Sequence, residues 1–440
     1  MSSSPQLPRG DVISYALGSL GSGVYSTVPT VLLLYFCTEV LEIAPAIAAA
    51  ILFIPKAWAI VWDPLIGAWS DRSRSKYGRR APFMLVGTLG VAISFPALFG
   101  APLLGPVTTA IYVGATYFLM ASAYSVYAVP YVTVPAEISD SPLERERILT
   151  WRMAFAMIGV LVGAGIAPHV VELAGGGRHG YAVMGVTVSL FCGSAMLLAY
   201  LAVKRHGATL ESSFVPNLPL LVALRPIWQH NDYRRLWFAY VFVMSGVALF
   251  LALSPYFVVR VLGRSEGDAG TALFTLLVGT VVALPLWGRA LRRWTGWRLL
   301  PIAAAVFIGV LALFRTVPLE ASLGSALPLY FALGVPFAGL QLLPFALLAH
   351  LAHDAAADGS RSEGLFSGLW TAGEKFGLAM GPGVAGVGLS VVGYTAGSSH
   401  QSDASLAGLQ QLMVIGPAAL ILIGVFLLVT RRVPHERTES

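Results

Sequence analysis

The chain has 440 residues, of which 56% are hydrophobic and only 11% charged, against the roughly 25% charge of soluble domains. That composition excludes an ordinary soluble protein and describes a polytopic membrane protein with the lipid bilayer as its surroundings. Its net charge of +6 is explained by basic residues beside apolar runs, where they set topology, so nucleic acid is not an expected partner.

Apolar runs long enough for a bilayer of about 30 Å recur twelve times. The spans are read at approximately 13–36, 45–69, 82–100, 107–137, 149–172, 180–203, 234–260, 269–291, 297–315, 326–351, 364–392 and 406–430. Met1 to Asp11 is polar and lacks a small-residue cleavage pattern, so no removable signal peptide is expected. In the first span, Tyr15 and Tyr25 are aromatic groups suited to a polar ligand, and Cys37 follows. With Cys192 it is one of two cysteines, too few for a disulfide framework or a metal site, and no metal or cofactor is expected.

The second span carries Lys56 and Asp63, seven residues apart, which is two helical turns or about 10 Å along one face. An ionisable group near a bilayer centre costs about 3 kcal/mol or more, so such residues face a bundle interior or a water-filled path. A structural ion pair or a snorkelling lysine is the alternative reading. The loop that follows, Asp71 to Arg80, holds five positive charges and one negative, which places it on the cytoplasmic side. Gly78 permits a tight turn there, and Pro82 restarts a helix.

Further along, Tyr124, Tyr127 and Tyr131 share the fourth span, and Glu144-Arg-Glu-Arg147 precedes Trp151-Arg152 at the start of the fifth. Gly159-x-x-x-Gly163 offers a smooth face for close packing, as does Gly373-x-x-x-Gly377-x-x-x-Gly381 in the eleventh span. Residues 204–233 are polar and contain three prolines, and they divide the chain into six-helix halves at 1–203 and 234–440, with a cytoplasmic central loop between. A weak repeat supports the division, since Pro64-Leu-Ile-Gly67 is echoed by Pro285-Leu-Trp-Gly288 before the matching loop. In the second half, Gln341, Trp370 and Lys375 are the groups suited to a polar ligand. Glu374 points about 100° away from Lys375 and is expected to meet a neighbouring helix. His350 and His353, with Asp354, read as a solvated helix end rather than a metal site.

Against this map, 22 of the 28 lysines and arginines fall on the side of the termini and only four on the other, with Lys56 and Lys375 inside spans. Both termini are therefore expected in the cytoplasm.

The order Trp58, Asp63-Pro-Leu-x-Gly67, then Asp71-Arg-x-Arg-Ser-x-x-Gly-Arg-Arg-x-Pro82, resembles the glycoside-pentoside-hexuronide:cation symporter family of the major facilitator superfamily. Glu144-Arg145 with Trp151-Arg152-Met153, and Glu363-Gly-Leu-Phe-x-Gly-Leu-Trp370 with Lys375-Phe-Gly377, are similar to that family's fifth- and eleventh-span motifs. The resemblance implies an all-α membrane protein with twelve transmembrane helices in two pseudo-symmetric halves, working by rocking motion around a central path. It implies that Lys375 matches a lysine concerned with cation coupling, and that Tyr124 and Arg152 match the sugar and cation pocket. It also implies a cytoplasmic gate in which Asp71 and Arg72 meet Glu144, Arg145 and Arg147. The chain departs from the family pattern at Ala59, where sodium-coupled members carry a second acid, and at Gly23 and Ala128, in place of sugar-gripping acids.

The expectation is thus a multi-pass transporter of the inner membrane, not an enzyme, monomeric, moving a small-molecule solute. Lys56, Arg152 and Lys375 against Asp63 give surplus positive charge, which suits an anionic solute such as a uronide, or a proton-coupled neutral one. Asp63 and Lys375 are the coupling candidates. Lys56, Tyr25, Tyr124, Tyr127, Arg152, Gln341, Trp370 and Lys375 are the candidate ligand-binding groups. A proton is the expected coupling ion, because sodium needs several oxygen ligands and Asp63 is the one carboxylate expected nearby. An amphiphile or lysolipid carrier, and a non-transporting assembly factor, are the alternatives.

Overall fold

The computed structural model describes residues 9–429 apart from 74, 76, 139–140, 207–230, 358–362 and 399, so most of the central loop at 204–233 lies outside the described residues. The same holds for the side chains of His350, His353 and Asp354.

The described residues form twelve helical rods, each at the place of one expected span. In chain order they are α1 (Arg9–Val28, continued by π-helical turns at Pro29–Leu33 and Phe36–Val40), α2 (Pro45–Arg72), α3 (Ala81–Phe99) and α4 (Pro106–Ile138). α5 (Pro142–Leu161) runs through a π-helical turn at Val162–Ile166 into Ala167–Leu173, and α6 is Gly177–His206. The second series comprises α7 (Asn231–Tyr256, then a π-helical turn at Phe257–Val261), α8 (Glu266–Leu291), α9 (Gly296–Leu313), α10 (Leu323–Ala357), α11 (Glu363–Val391) and α12 (Asp403–Val429). Eleven of the rods are both long and apolar enough to cross a membrane. The other, α11, has 29 residues, about 44 Å at 1.5 Å per residue, and carries Glu374 and Lys375 within an otherwise apolar run.

Local chemistry sets the ends of these rods. Proline opens α2, α4 and α5, where its missing N–H costs nothing because the first turn has no partner for it. The short link between α3 and α4 turns at Gly105, whose φ of +96° suits a residue without a Cβ. In α7, Pro255 removes one backbone donor, and the helix widens into its π-helical turn two residues later.

The chain forms two compact units. The first holds α1 to α6 together with Leu251–Phe274 and Pro382–Leu409, which are the ends of α7, α8, α11 and α12 and their connections. The second holds the remainder of α7 to α12. In the first unit α1 packs on α5 and α6, α4 on α2 and α3, and α3 on α6. The same pairings recur in the second. Gly377 of α11 abuts the Val241 carbonyl of α7, Gly334 of α10 abuts the Leu276 carbonyl of α8, and α9 packs on α10. Gly424 of α12 lies against the Ala239 carbonyl of α7, and Gln410 of α12 donates to the Phe314 carbonyl at the end of α9 at 2.9 Å. Five helix pairings thus appear twice along the chain, the structural counterpart of the weak Pro-Leu-x-Gly repeat.

Both glycine stripes make these contacts. A Cβ at Gly159 of α5 would overlap the Leu20 carbonyl of α1, and one at Gly163 would press on Thr27 and Val24. Backbone cannot retreat as a flexible side chain can. Gly159→Ala should therefore lower stability by about 1–3 kcal/mol through overpacking, whereas Gly309→Ala on α9, where a Cβ meets nothing within 4 Å, should be neutral or stabilising. Thermal unfolding of the two variants in detergent checks this, and equal melting temperatures would refute the close-packing account.

Candidate functional site

Within the first unit, α1, α2, α4 and α5 converge on a cluster of tyrosines, hydroxyls and charges. On α1 the spacing Tyr15, Ser19, Ser22, Tyr25 keeps polar side chains on one face of an otherwise apolar helix. Tyr25 stacks on Tyr124 of α4 with ring centroids 3.7 Å apart. Asp63 of α2 is close enough to act electrostatically on both phenols. Two turns earlier on α2, the Lys56 Nζ donates to the Thr30 hydroxyl of α1 at 3.2 Å, at the first π-helical turn.

Arg152 of α5 is held differently. Its Nε donates to the Ser19 hydroxyl at 3.3 Å. Its guanidinium lies over the Tyr131 ring at 4.6 Å and near the Tyr15 ring at 5.9 Å. Those rings are themselves fixed, because Tyr15 donates to the Tyr131 carbonyl, and the Tyr131 and Ser19 hydroxyls lie 2.8 Å apart. Arg152 makes no ion pair with a carboxylate among the described residues. A guanidinium positioned by hydroxyls and aromatic faces keeps much of its five-donor fork for an anion.

Tyr127 of α4 lies deeper than Tyr124. It is fully buried, stacked on Tyr131 at 5.2 Å, and Gly18 of α1 leaves just enough room for its hydroxyl. Gly23 likewise belongs to the α1–α5 crossing, since a Cβ there would strike the Ala156 carbonyl. A carboxylate side chain would not fit at that position. Ala59 and Ala128 are buried small residues, leaving Asp63 as the one carboxylate of this cluster among the described residues.

The remaining ligand-binding candidates lie in the second unit. Gln341 of α10 and Lys375 of α11 are half-buried. Trp370 is 1% exposed and stacks on Tyr240 of α7 at 4.3 Å. Glu374 lies close enough to Tyr240 of α7 to act electrostatically on its phenol.

At the expected cytoplasmic gate, Asp71 pairs with Arg80 at 2.5 Å, and Arg80 also donates to the Ser70 hydroxyl at 2.5 Å. Arg80 is buried at 6% exposure while Arg72 is exposed. The loop thus closes on the end of its own helix through Arg80, one of its five basic residues. Glu144, Arg145 and Arg147 lie half-buried on the first turns of α5. Sequence reasoning also passed over Ser19, Ser22 and Thr30. Their periodic hydroxyls on an apolar helix were the available signal.

Comparison with known proteins places the chain among transporters. A family profile described as MFS/sugar transport protein matches residues 14–434. The chain is 28% identical to the putative glycoside/cation symporter YagG of Escherichia coli, covering 97% of this chain and 92% of that one. It is 25% identical to the inner membrane symporter YicJ of the same organism, over 93% and 89%. It is also 24% identical to the sodium-dependent lysophosphatidylcholine symporter 1-A of Danio rerio, over 97% and 86%. Among solved structures, a bacterial homologue of the human lysosomal transporter Spinster superposes with a TM-score of 0.73 at 15% identity, covering 95% of each chain. The D-xylose-proton symporter superposes with a TM-score of 0.63, also at 15% identity, over 95% and 96%.

Proposed function

Because the chain belongs to the MFS/sugar transport protein family, we propose that it is a proton-coupled secondary transporter that moves a small polar or anionic solute by alternating access. The observation that carries the anionic preference is Arg152, a guanidinium set between Tyr15, Tyr131 and Ser19 without a carboxylate partner among the described residues. With Lys56 in the same cluster and Asp63 as its one described carboxylate, the N-terminal half carries more positive than negative charge. A carboxylate or phosphate on the solute would balance that excess and accept the charge-assisted hydrogen bonds that are the stronger kind. The surrounding tyrosine and serine hydroxyls suit a hydroxylated solute such as a uronide.

The carboxylate count is what supports proton coupling. Sodium leaving water needs several oxygen ligands, and the described cluster supplies one carboxylate, with buried alanine at positions 59 and 128. Asp63 can instead bind and release a proton. The bacterial relatives favour the inner membrane as its location.

A second reading is favoured by the lysophosphatidylcholine symporter relative: an amphiphile whose anionic headgroup takes the same Arg152 site. A thermal-shift screen of the purified protein separates the two, since a ligand that binds only the folded state raises the apparent melting temperature, by about 2.7 kcal/mol of stabilisation at a hundredfold excess over Kd. Uronides or other small carboxylates are expected to give the largest shifts. A response to lysophospholipids alone would move the assignment to the second reading, and a response confined to neutral glycosides would overturn the anionic one.

A further inference from the structure

Away from the tyrosine cluster, the first unit contains a second set of buried charges at the opposite ends of the helices from the basic Asp71–Arg80 loop. Arg260, in the π-helical turn that ends α7, pairs with Glu39, in the π-helical turn that ends α1. The Glu39 side chain is only 3% exposed. Around the pair, the Thr38 and Tyr256 hydroxyls lie 2.6 Å apart, and Tyr35 meets the Tyr256 ring edge-on at 5.1 Å. Tyr394, in the connection between α11 and α12, packs on Tyr256 at 5.5 Å and is close enough to Glu39 to feel its charge. Burial, reinforced by the Glu39 carboxylate, pushes the Tyr394 phenol up, so it stays protonated.

These contacts have a particular topology. Thr38 and Glu39 belong to the first series of six helices, while Tyr256, Arg260 and Tyr394 belong to the second. A transporter that rocks one series against the other cannot keep them in both of its states. Nor is the closed arrangement fully satisfied. Arg260 Nε is buried without an acceptor among the described residues, and so is Glu266 Oε2 at the start of α8. Unmade hydrogen bonds in a buried site reduce its net stability, which suits contacts that form and part in turn.

We propose that Glu39 and Arg260, braced by Thr38, Tyr256 and Tyr394, are the ionic latch that holds the extracytoplasmic end of the transport path shut and must part for that end to open. The inference rests on the alternating-access reading but needs no knowledge of the solute. When the latch is closed its pair is shielded from water, and when it opens each charge regains hydration. Removing one partner leaves a buried charge uncompensated in the closed state only, so the equilibrium moves toward the open one.

The chain carries its own reporter. Cys37 lies two residues before Glu39 and is fully buried. In intact cells expressing the Cys192→Ser protein, an impermeant maleimide should label Cys37 slowly, and about tenfold faster or more in Glu39→Gln and in Arg260→Gln. The charge exchange Glu39→Arg with Arg260→Glu should return labelling to within about threefold of the parent rate, since the pair is rebuilt in reverse. Opening one end must also close the other. Thr150 lies with Arg145, Leu149 and Met153 in an open groove on the first turns of α5. In the cysteine-free background, Thr150→Cys should therefore react about threefold more slowly from the cytoplasmic side when Glu39→Gln is present. Unchanged Cys37 labelling in both single variants would overturn the latch. So would faster Cys37 labelling with Thr150→Cys unaffected, because that pattern is local loosening. If Glu39→Gln does not accumulate, Arg260→Gln decides both readouts. A solute screen that finds nothing leaves these rates untouched, so the failure of the solute assignment and of the latch remain distinguishable.

Discussion

Asp63→Asn should abolish uphill accumulation of solute driven by a pH difference, while solute binding and downhill exchange remain measurable. A one-unit pH difference across the membrane supplies about 1.4 kcal/mol, enough for a tenfold accumulation with one proton per solute. In the wild type that gradient should be converted, and in the variant the accumulation ratio should fall to one. The reason lies in the placement of the carboxylate. Asp63 is on α2, within electrostatic reach of the stacked Tyr25–Tyr124 pair, and on the same helix as Lys56. A proton and a solute that both act at this cluster bias the same two-state equilibrium, which is what coupling requires. Asparagine keeps the shape and hydrogen-bonding capacity but cannot carry a proton. Proteoliposomes with imposed pH or sodium gradients provide the measurement. Accumulation that follows sodium at fixed pH, or that survives Asp63→Asn intact, would remove Asp63 from its role.

Much of this architecture was legible in the residues, and the parts that were not have physical causes. Twelve rods follow from twelve apolar runs because a bilayer demands internally satisfied backbone over a fixed length, and α11 was found despite Glu374 and Lys375 because its apolar flanks remain long. The π-helical turns were not legible, since they depend on how Pro29 and Pro255 and their neighbours resettle freed backbone groups rather than on composition. Nor was the role of Gly23. As a missing acid it suggested a lost sugar contact, whereas the structure shows a helix crossing where any side chain would collide. Arg80 illustrates the same limit, because five basic residues in one loop look alike until one of them is buried against Asp71 and Ser70. The Glu39–Arg260 pair joins residues 221 apart. No local pattern announces such a contact, and it exists only in conformations where the ends of α1 and α7 meet.

Arg152→Gln should weaken binding of an anionic solute by about 10- to 100-fold, from the roughly 1.5–3 kcal/mol that hydrogen bonds to charged groups contribute. The guanidinium lies over Tyr131 and Tyr15 with Ser19 on its Nε, so the donors left over are fixed in direction before any ligand arrives. Preorganisation of that kind lowers the ordering cost of binding. Arg152→Lys retains the charge but gives up the planar fork and its stacking, so it should fall between wild type and Arg152→Gln. Ser19→Ala should have a smaller effect, because it frees the Nε without removing the cation. Titration of each variant with a carboxylate ligand from the thermal-shift screen and with its neutral amide analogue separates charge recognition from a general loosening of the cluster. The loss should be confined to the anion. Equal losses for both ligands would make Arg152 a structural brace between α1, α4 and α5, and unchanged anion affinity in Arg152→Gln would place the solute's negative charge elsewhere in the protein.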